Sequence, residues 1–315
     1  MIRVDTEQIE RFADFLRGQE DVRPFDFVLP DLLPPVGAEG VVDYFFFTVA
    51  HQFGFWTLAD GCYEKPMIAP CDGRPLKGSD FIWRCATRAW ERNPHFFAPG
   101  HLQQMSDKDW TAVFSDDNGV NPLPMWEANA RIIRESTAWW MTNGSTPGDL
   151  LRQVSSGTNR LHALLAEAGR IPGYREDPLR KKLMLLALAL VNRPEHFLEV
   201  DDPSAFGPVI DYHLMRSALR TGLVEVDDPA LRSRLAGRRA LEPAEEDRIR
   251  RTVFQAIEQL HDVSGVSHAA IDWFFFQNRT RCPEMSPPDC PACPVQSICA
   301  RHTGLFQPVF RTEAY

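Results

Sequence analysis

Four of the chain's seven cysteines fall within eighteen residues near the C-terminal end, CPEMSPPDCPACPVQSIC at 282–299. Cys282, Cys290, Cys293 and Cys299 are spaced C-x7-C-x2-C-x5-C. Thiolates at this density repel one another, and free thiols oxidise, so something must bind them. One reading is a disulfide pair. The favoured reading is a four-cysteine metal site, because in a reducing compartment clustered cysteines more often hold metal. Zinc and an iron–sulfur cluster both accept four thiolates. A zinc ribbon shows two C-x-x-C pairs, whereas this loop has one, Cys290 and Cys293. Three of its cysteines are followed by proline, which removes backbone donors and stiffens the loop. The spacing leans to a cubane cluster over zinc.

The compartment follows from the rest of the chain. The N-terminal MIRVDTEQIERFADFLRG has no apolar h-region, so no signal peptide is expected. The richest apolar run, LMLLALALV at 183–191, is too short to span a bilayer and reads as a buried helix. A cytoplasmic location is therefore expected, with no membrane partner. A length of 315 residues suffices for a large core without staples. The net charge of −9 argues against a protein that coats nucleic acid non-specifically.

Periodicity predicts helices over 5–18, 79–92, 126–141, 147–154, 159–168, 178–191, 211–221, 243–262 and 267–277. Ser79 is the expected N-cap of the second of these. The runs 41–49 (VVDYFFFTV) and 66–69 suit strands. The expected fold is mainly α, with a small β element near the N-terminus and the cysteine loop at the C-terminus. The expected division of a single unit over 1–315 is an α/β part at 1–125, a helical catalytic part at 126–277, and the cysteine loop and tail at 278–315.

The cysteine spacing resembles the iron–sulfur loop of the endonuclease-III-like and adenine-specific DNA glycosylases, C-x6-C-x2-C-x5-C, with one extra residue in the first gap. The resemblance implies a [4Fe–4S] cluster that pins the tail to the helices. It also implies a two-lobed helical DNA-glycosylase-like fold, with substrate in the cleft between the lobes. Those enzymes carry an aspartate in a pattern like V-D-T-H-V-x-R-V before a helix. FGPVIDYHLMRSALRTGLV at 206–224 matches it at Asp211, His213 and Arg216, with Tyr212 replacing a small polar residue. The LPGVG-type hairpin loop that grips duplex DNA has no counterpart in LEVDDPSAFGP, and no covalent lysine is evident. An anion beside the anomeric carbon stabilises the positive charge that develops as a base–sugar bond breaks. The plainer role for Asp211 is a helix N-cap. His213 could hydrogen-bond in a pocket or be a satisfied core histidine, and Arg216 could pair with a nearby carboxylate.

A second set of motifs resembles the queuosine salvage protein family in order along most of the chain. They are HQFGFW (51–56), GSDFIWRCATRAW (78–90), FSDDNGVNPLPMWEANARI (114–132), KKLMLL (181–186), IDYHLMRSALRTG (210–222), IDWFFF (271–276) and PVFRTEAY (308–315). The familiar eukaryotic members lack the cysteine loop. This resemblance implies release of the base queuine from queuosine 5′-phosphate, with Asp211 as the catalytic aspartate. It also implies Asp272 as a second acid for the base edge or ribose, against an N-cap of a 272–277 helix. Phe53, Phe55 and Trp56 could stack on a flat base, against a place in the core. Lys181 or Lys182 could reach a 5′-phosphate, against a solvated helix turn. Arg74 and Lys77 are another candidate phosphate contact. Cys62, Cys71 and Cys85 lack metal spacing and are expected as buried free thiols.

The leading functional reading is a hydrolase that cleaves the N-glycosidic bond of a modified, 7-deazaguanine-type nucleoside or nucleotide. One alternative is a [4Fe–4S] DNA glycosylase, for which RSRLAGRR at 232–239 could supply a phosphate patch unless it is a solvated loop. The other is a non-catalytic iron–sulfur binder or sensor.

Overall fold

The structure is a computed structural model that describes residues 1–308 and 310–315. Val309, in the motif at 308–315, lies outside the described residues. The elements run β1 (Ile2–Val4), α1 (Thr6–Arg17), α2 (Val41–Ala50), β2 (Trp56–Ala59), β3 (Cys62–Pro66), β4 (Ile68–Cys71) and β5 (Arg74–Lys77). There follow α3 (Gly78–Arg92), α4 (Pro99–Leu102), α5 (Asp107–Val113), α6 (Trp126–Asn143), α7 (Pro147–Ser155), α8 (Arg160–Ala168) and α9 (Lys181–Asn192). A short 3-10 turn at Pro203–Ala205 precedes α10 (Tyr212–Thr221), β6 (Val224–Val226), α11 (Pro229–Ala236), α12 (Pro243–Ser264) and α13 (His268–Asn278). The protein is mainly helical, with three two-stranded sheets. Among the described residues no helix is long and apolar enough to cross a membrane.

The chain divides into two compact units, each assembled from separated segments. Unit 1 comprises 1–25, 58–65 and 207–311; unit 2 comprises 26–57, 66–206 and 312–315. The boundaries drawn at 125 and 277 do not coincide with this division.

Unit 1 is organised around α12, which packs against α1, α10, α13 and strand β1. β1 pairs antiparallel with β6, joining the start of the chain to the exit of α10. Asp5 caps α1 by accepting from the Gln8 amide at 3.0 Å, and α1 buries Ile9, Phe12, Ala13 and Leu16 at helical spacing.

Unit 2 is organised around α2, which packs against α3, α7 and α9. The strand expected at 41–49 is this helix. Its valines and phenylalanines carry strand propensity, but eight of its ten residues are buried, so tertiary packing decides. Gly40, in the left-handed region at φ 71°, starts it, and a Cβ there would lie 1.9 Å from the Pro94 carbonyl oxygen. Two ammonium groups reach carbonyls at or just beyond its C-terminal end. Lys182 Nζ donates to the Ala50 carbonyl at 2.9 Å, and Lys181 Nζ to that of Gln52 at 3.3 Å. Cations at a helix C-terminus satisfy orphan carbonyls and oppose the helix dipole.

The remaining strands come from a signal of another kind. Asp60–Gly61 and Asp72–Gly73 both have positive φ at both residues, as a two-residue type I′ hairpin turn requires. They close the β2–β3 and β4–β5 hairpins, the latter in register Cys71↔Arg74, so the strand expected at 66–69 straddles two hairpins. Helix α3 starts at Gly78, with Lys77 and not Ser79 at its N-cap position. The segment 232–239 is not a loop over most of its length, because α11 runs to Ala236.

Candidate functional site

The expected site residues fall into two sets, one in each unit. In unit 1, Asp211 is the N-cap of α10. Its Oδ1 accepts from the His213 amide at 2.8 Å and the Leu214 amide at 3.1 Å. Its Oδ2 carries no hydrogen bond or ion pair to a described residue. The capping role is thus filled by one oxygen.

The turn that presents Asp211 is held from α12. Arg250, 3% exposed, donates through Nε and Nη2 to the Ile210 carbonyl at 3.2 and 3.0 Å. The helix beneath is held by Arg216, 1% exposed, which donates to Gln307 Oε1 at 2.9 Å and to His213 Nδ1 at 3.1 Å. A guanidinium only donates, so His213 Nδ1 is an acceptor and the neutral ring carries its proton on Nε2. Arg216 therefore meets an imidazole and an amide where a carboxylate was expected, although Glu284 acts on it electrostatically. His213 is buried and lies edge-on to Phe276 of α13 at 5.5 Å.

Asp272 lies on α13. The expectation of an N-cap is corrected, because the helix starts four residues earlier and is capped by Ser267. Its half-buried neighbours Trp273 and Phe276 stack at 5.4 Å; Trp273 also stacks on Phe25 at 4.2 Å, and Arg279 covers Phe276 at 3.6 Å. This aromatic ladder escaped the sequence reading. Its signal was the spacing of Trp273, Phe276 and Arg279, three residues apart on one helix face.

The four cysteines are free thiols, all half-buried, and all four line one cavity together with Arg220, Phe274 and Arg281. Burial pushes the Cys293 and Cys299 thiols up, and the neighbouring sulfurs of Cys282 and Cys290 add to the push. Donors point at the sulfurs. Arg220 Nη1 lies 3.3 Å from Cys282 Sγ, and the Arg301 amide 3.3 Å from Cys299 Sγ. Arg220 also donates to the carbonyls of Leu305 at 2.7 Å and Pro283 at 2.8 Å, fastening the loop to α10. Among the described residues, no three His, Cys, Asp or Glu side chains converge as they would on a single ion.

In unit 2, Phe53, Phe55 and Trp56 are 1%, 4% and 4% exposed, so their faces pack against protein. Lys182 Nζ sits over the Phe53 ring at 4.7 Å. Lys181 and Lys182 are 6% and 1% exposed; the solvated-turn reading is corrected, because Lys182 caps the last carbonyl of α2 and Lys181 donates to the Gln52 carbonyl just beyond it. Burial holds Lys182 down at about 7. Arg74 pairs at the surface with Asp31 at 3.1 Å. Cys71 and Cys85 are buried free thiols 4.0 Å apart, as expected, while Cys62 is only half-buried.

Three of the four arginines of 232–239 have partners inside unit 1. Arg234 bonds Glu245, Arg232 lies 3.8 Å from Glu225, and Arg238 stacks over Phe306 at 5.0 Å.

No family model matches the chain, and no curated protein matches it. Among solved structures it is similar to a trapped endonuclease III–DNA covalent intermediate, an estranged-adenine complex. The two share 15% identity over 95% of this chain and 97% of that one, with a TM-score of 0.47.

Proposed function

We propose that this protein is a hydrolase that cleaves the N-glycosidic bond of a modified, 7-deazaguanine-type nucleoside or nucleotide. The observation that carries the reading is Asp211, whose one oxygen is fixed by two backbone amides and whose other oxygen has no described partner. As the C1′–N bond breaks, its electron pair leaves with the base and positive charge develops on the sugar. Asp211 is the anion that stabilises this charge. Water then supplies hydroxyl to C1′, and its proton balances the departing base. Asp272 and His213 are assigned to substrate contacts in unit 1. Arg250 and Arg216 are positioning residues, because they act through the Ile210 carbonyl and His213.

Base identity rests on the ordered motifs that resemble the queuosine salvage family. The packing of Phe53, Phe55 and Trp56 favours a framework role for them over stacking. The internal pairing of Arg232, Arg234 and Arg238, with the net charge of −9, favours a small substrate over a DNA duplex.

Cys282, Cys290, Cys293 and Cys299 would hold a [4Fe–4S] cluster. The donor set fits, because each thiolate of such a cluster binds a different iron, so the sulfurs stand apart around it. Zinc draws all four to one point. The four cysteines lining one cavity and the N–H donors aimed at two of their sulfurs support the cluster. Its role here is structural: with Arg220 it ties the loop to the helix that begins at Asp211.

The test is base release, read by mass spectrometry, from queuosine, its 5′-phosphate and DNA carrying modified bases. Release from the mononucleotide, lost in Asp211→Asn, is expected. Release from DNA alone would replace this reading with a repair glycosylase. Activity intact in Asp211→Asn would overturn the role of the carboxylate. An anaerobic visible spectrum distinguishes a brown cluster protein from a colourless zinc one.

A further inference from the structure

A phosphate monoester carries about −1.5 to −2 charges near neutrality. Brought up to Asp211 it meets like charge, so a nucleotide substrate needs a cation close to that carboxylate. The cations that the sequence offered lie in unit 2 and are otherwise engaged. Lys181 and Lys182 are buried and donate to carbonyls, and Arg74 pairs with Asp31. In unit 1, Arg216, Arg220 and Arg250 are buried, and their guanidiniums donate to internal acceptors.

Arg279 differs from these. It is half-buried, so solvent reaches it, and it occupies the C-cap position of α13. Its guanidinium lies over the Phe276 ring at 3.6 Å, and Nη1 donates to the Phe276 carbonyl at 2.9 Å. Ring and carbonyl together hold the planar group in one orientation, and the C-terminal end of the helix favours its charge. A guanidinium has five N–H donors in a planar fork, and the bond to Phe276 takes one.

Packing brings this cation to the start of α10. Phe276 lies edge-on to the His213 ring at 5.5 Å, and His213 lies 4.2 Å from the Tyr212 ring. The His213 amide is one of the two that fix Asp211 Oδ1. The charges act on the same neighbourhood. Burial holds the Tyr212 hydroxyl up, Asp211 and Glu284 add to the rise, and Arg216 and Arg279 oppose it. Tyr212 thus feels the Asp211 carboxylate and the Arg279 guanidinium at once. One ribose separates C1′ from the 5′-phosphate, so a fixed anion and a fixed cation near one residue suit the two ends of a ribose 5′-phosphate.

We infer, on the strength of the glycosidase reading of unit 1, that Arg279 binds the 5′-phosphate of a mononucleotide whose C1′ sits at Asp211. A planar fork of donors suits phosphate oxygens, and charge-assisted bonds favour the nucleotide over the nucleoside. The same cation offsets the repulsion between the phosphate and Asp211. Arg279 is a specificity-determining residue and takes no part in breaking the C1′–N bond.

The test is equilibrium binding in an Asp211→Asn background, which removes turnover. The probes are queuosine 5′-phosphate, queuosine and a single-stranded oligonucleotide. The nucleotide should bind at least about tenfold more tightly than the nucleoside. Arg279→Gln, checked for its fold by thermal melting, should remove that preference and leave nucleoside affinity unchanged. Arg279→Lys should keep part of it, as a point charge without the fork. A preference that survives Arg279→Gln, or equal losses for nucleotide and nucleoside, would overturn the assignment. Absence of binding by both mononucleotide probes would overturn it too, and so would a loss confined to the oligonucleotide. Failure of the glycosidase reading looks different: the phosphate preference would persist in binding while base release fails with every substrate.

Discussion

Three buried arginines of unit 1 and three titratable groups around α2 of unit 2 answer desolvation in different ways. In unit 1, Arg216, Arg220 and Arg250 are 1%, 5% and 3% exposed, and each guanidinium meets two or more acceptors or clamps one carbonyl with two donors. In unit 2, Asp43 makes no hydrogen bond with a described residue, His51 Nε2 is buried without one, and Lys182 meets one neutral carbonyl. A guanidinium cannot shed its proton, so its burial demands partners. A carboxyl, an imidazole and an amine can neutralise, and burial pushes all three toward the neutral form. Substitution of these arginines should thus act through lost anchoring, and substitution of Asp43, His51 or Lys182 through proton linkage.

The largest expected effect is on rate. Asp211→Asn should lower base release by at least about 10²–10³-fold, the scale of one lost electrostatic stabiliser. Asparagine also caps helices, so the melting temperature should move little. Asp43→Asn is the matched control in unit 2 and should leave the rate unchanged. If the two variants behave alike, the assignment of catalysis to unit 1 fails.

Cysteine substitutions sharpen the same contrast. Cys290→Ala should abolish the visible absorption of the anaerobically purified protein and loosen the loop that Arg220 fastens, read as new protease sensitivity at 282–301. Cys85→Ala, in the core of unit 2, should keep the absorption. A spectrum that survives Cys290→Ala would remove the cluster from this loop.

Much of unit 1 was legible because its signals are local. Asp211 sits where an N-cap belongs, the four cysteines lie close in sequence and line one cavity, and α1 and α12 carry clear helical periodicity. What was not legible depended on partners far away in sequence. Arg250 reaches the Ile210 carbonyl across 40 positions, and Lys182 reaches that of Ala50 across 132. No local pattern marks a lysine as the cap of another helix. The run VVDYFFFTV failed for the converse reason, since its strand propensity is genuine and only burial on nearly every side makes it a helix. The two Asp–Gly pairs, in contrast, carry a purely local signal for the hairpins they close.

Two glycines compare the units by backbone. Gly40 and Gly265 have nearly the same φ, 71° and 70°. A Cβ at Gly40 would strike the Pro94 carbonyl, whereas one at Gly265 meets nothing within 4 Å. Gly40→Ala should cost about 3–5 kcal/mol by chemical denaturation and Gly265→Ala about 1 kcal/mol. Equal costs would mean that strain at positive φ, and not the close approach to Pro94, governs both.

Proton linkage gives a smaller effect that belongs to unit 2. Lys182 titrates near 7 folded and near 10.5 unfolded, so between these values the unfolded chain holds the extra proton. Stability should therefore rise with pH from about 7, and level off below it, where the folded and unfolded chains both hold the proton. The clean window is about pH 7–8.5, because above it unfolded-state thiols and tyrosines begin to titrate. The limiting slope is about 1.4 kcal/mol per pH unit. Lys182→Met should flatten the urea-midpoint profile across this window, and an unchanged profile would show that Lys182 stays charged when folded.

The smallest effect tests a phosphate contact proposed from sequence. Arg74 and its partner Asp31 are 48% and 74% exposed at the side chain, so their ion pair is well solvated. Such pairs contribute about 0–1 kcal/mol. Arg74→Ala should leave stability within about 0.5 kcal/mol of the parent and leave KM for a 5′-phosphorylated substrate unchanged. A KM that rises for the nucleotide but not for the nucleoside would restore Arg74 as a phosphate ligand. It would also give unit 2 a direct hand in the reaction, which its buried rings and capped lysines otherwise argue against.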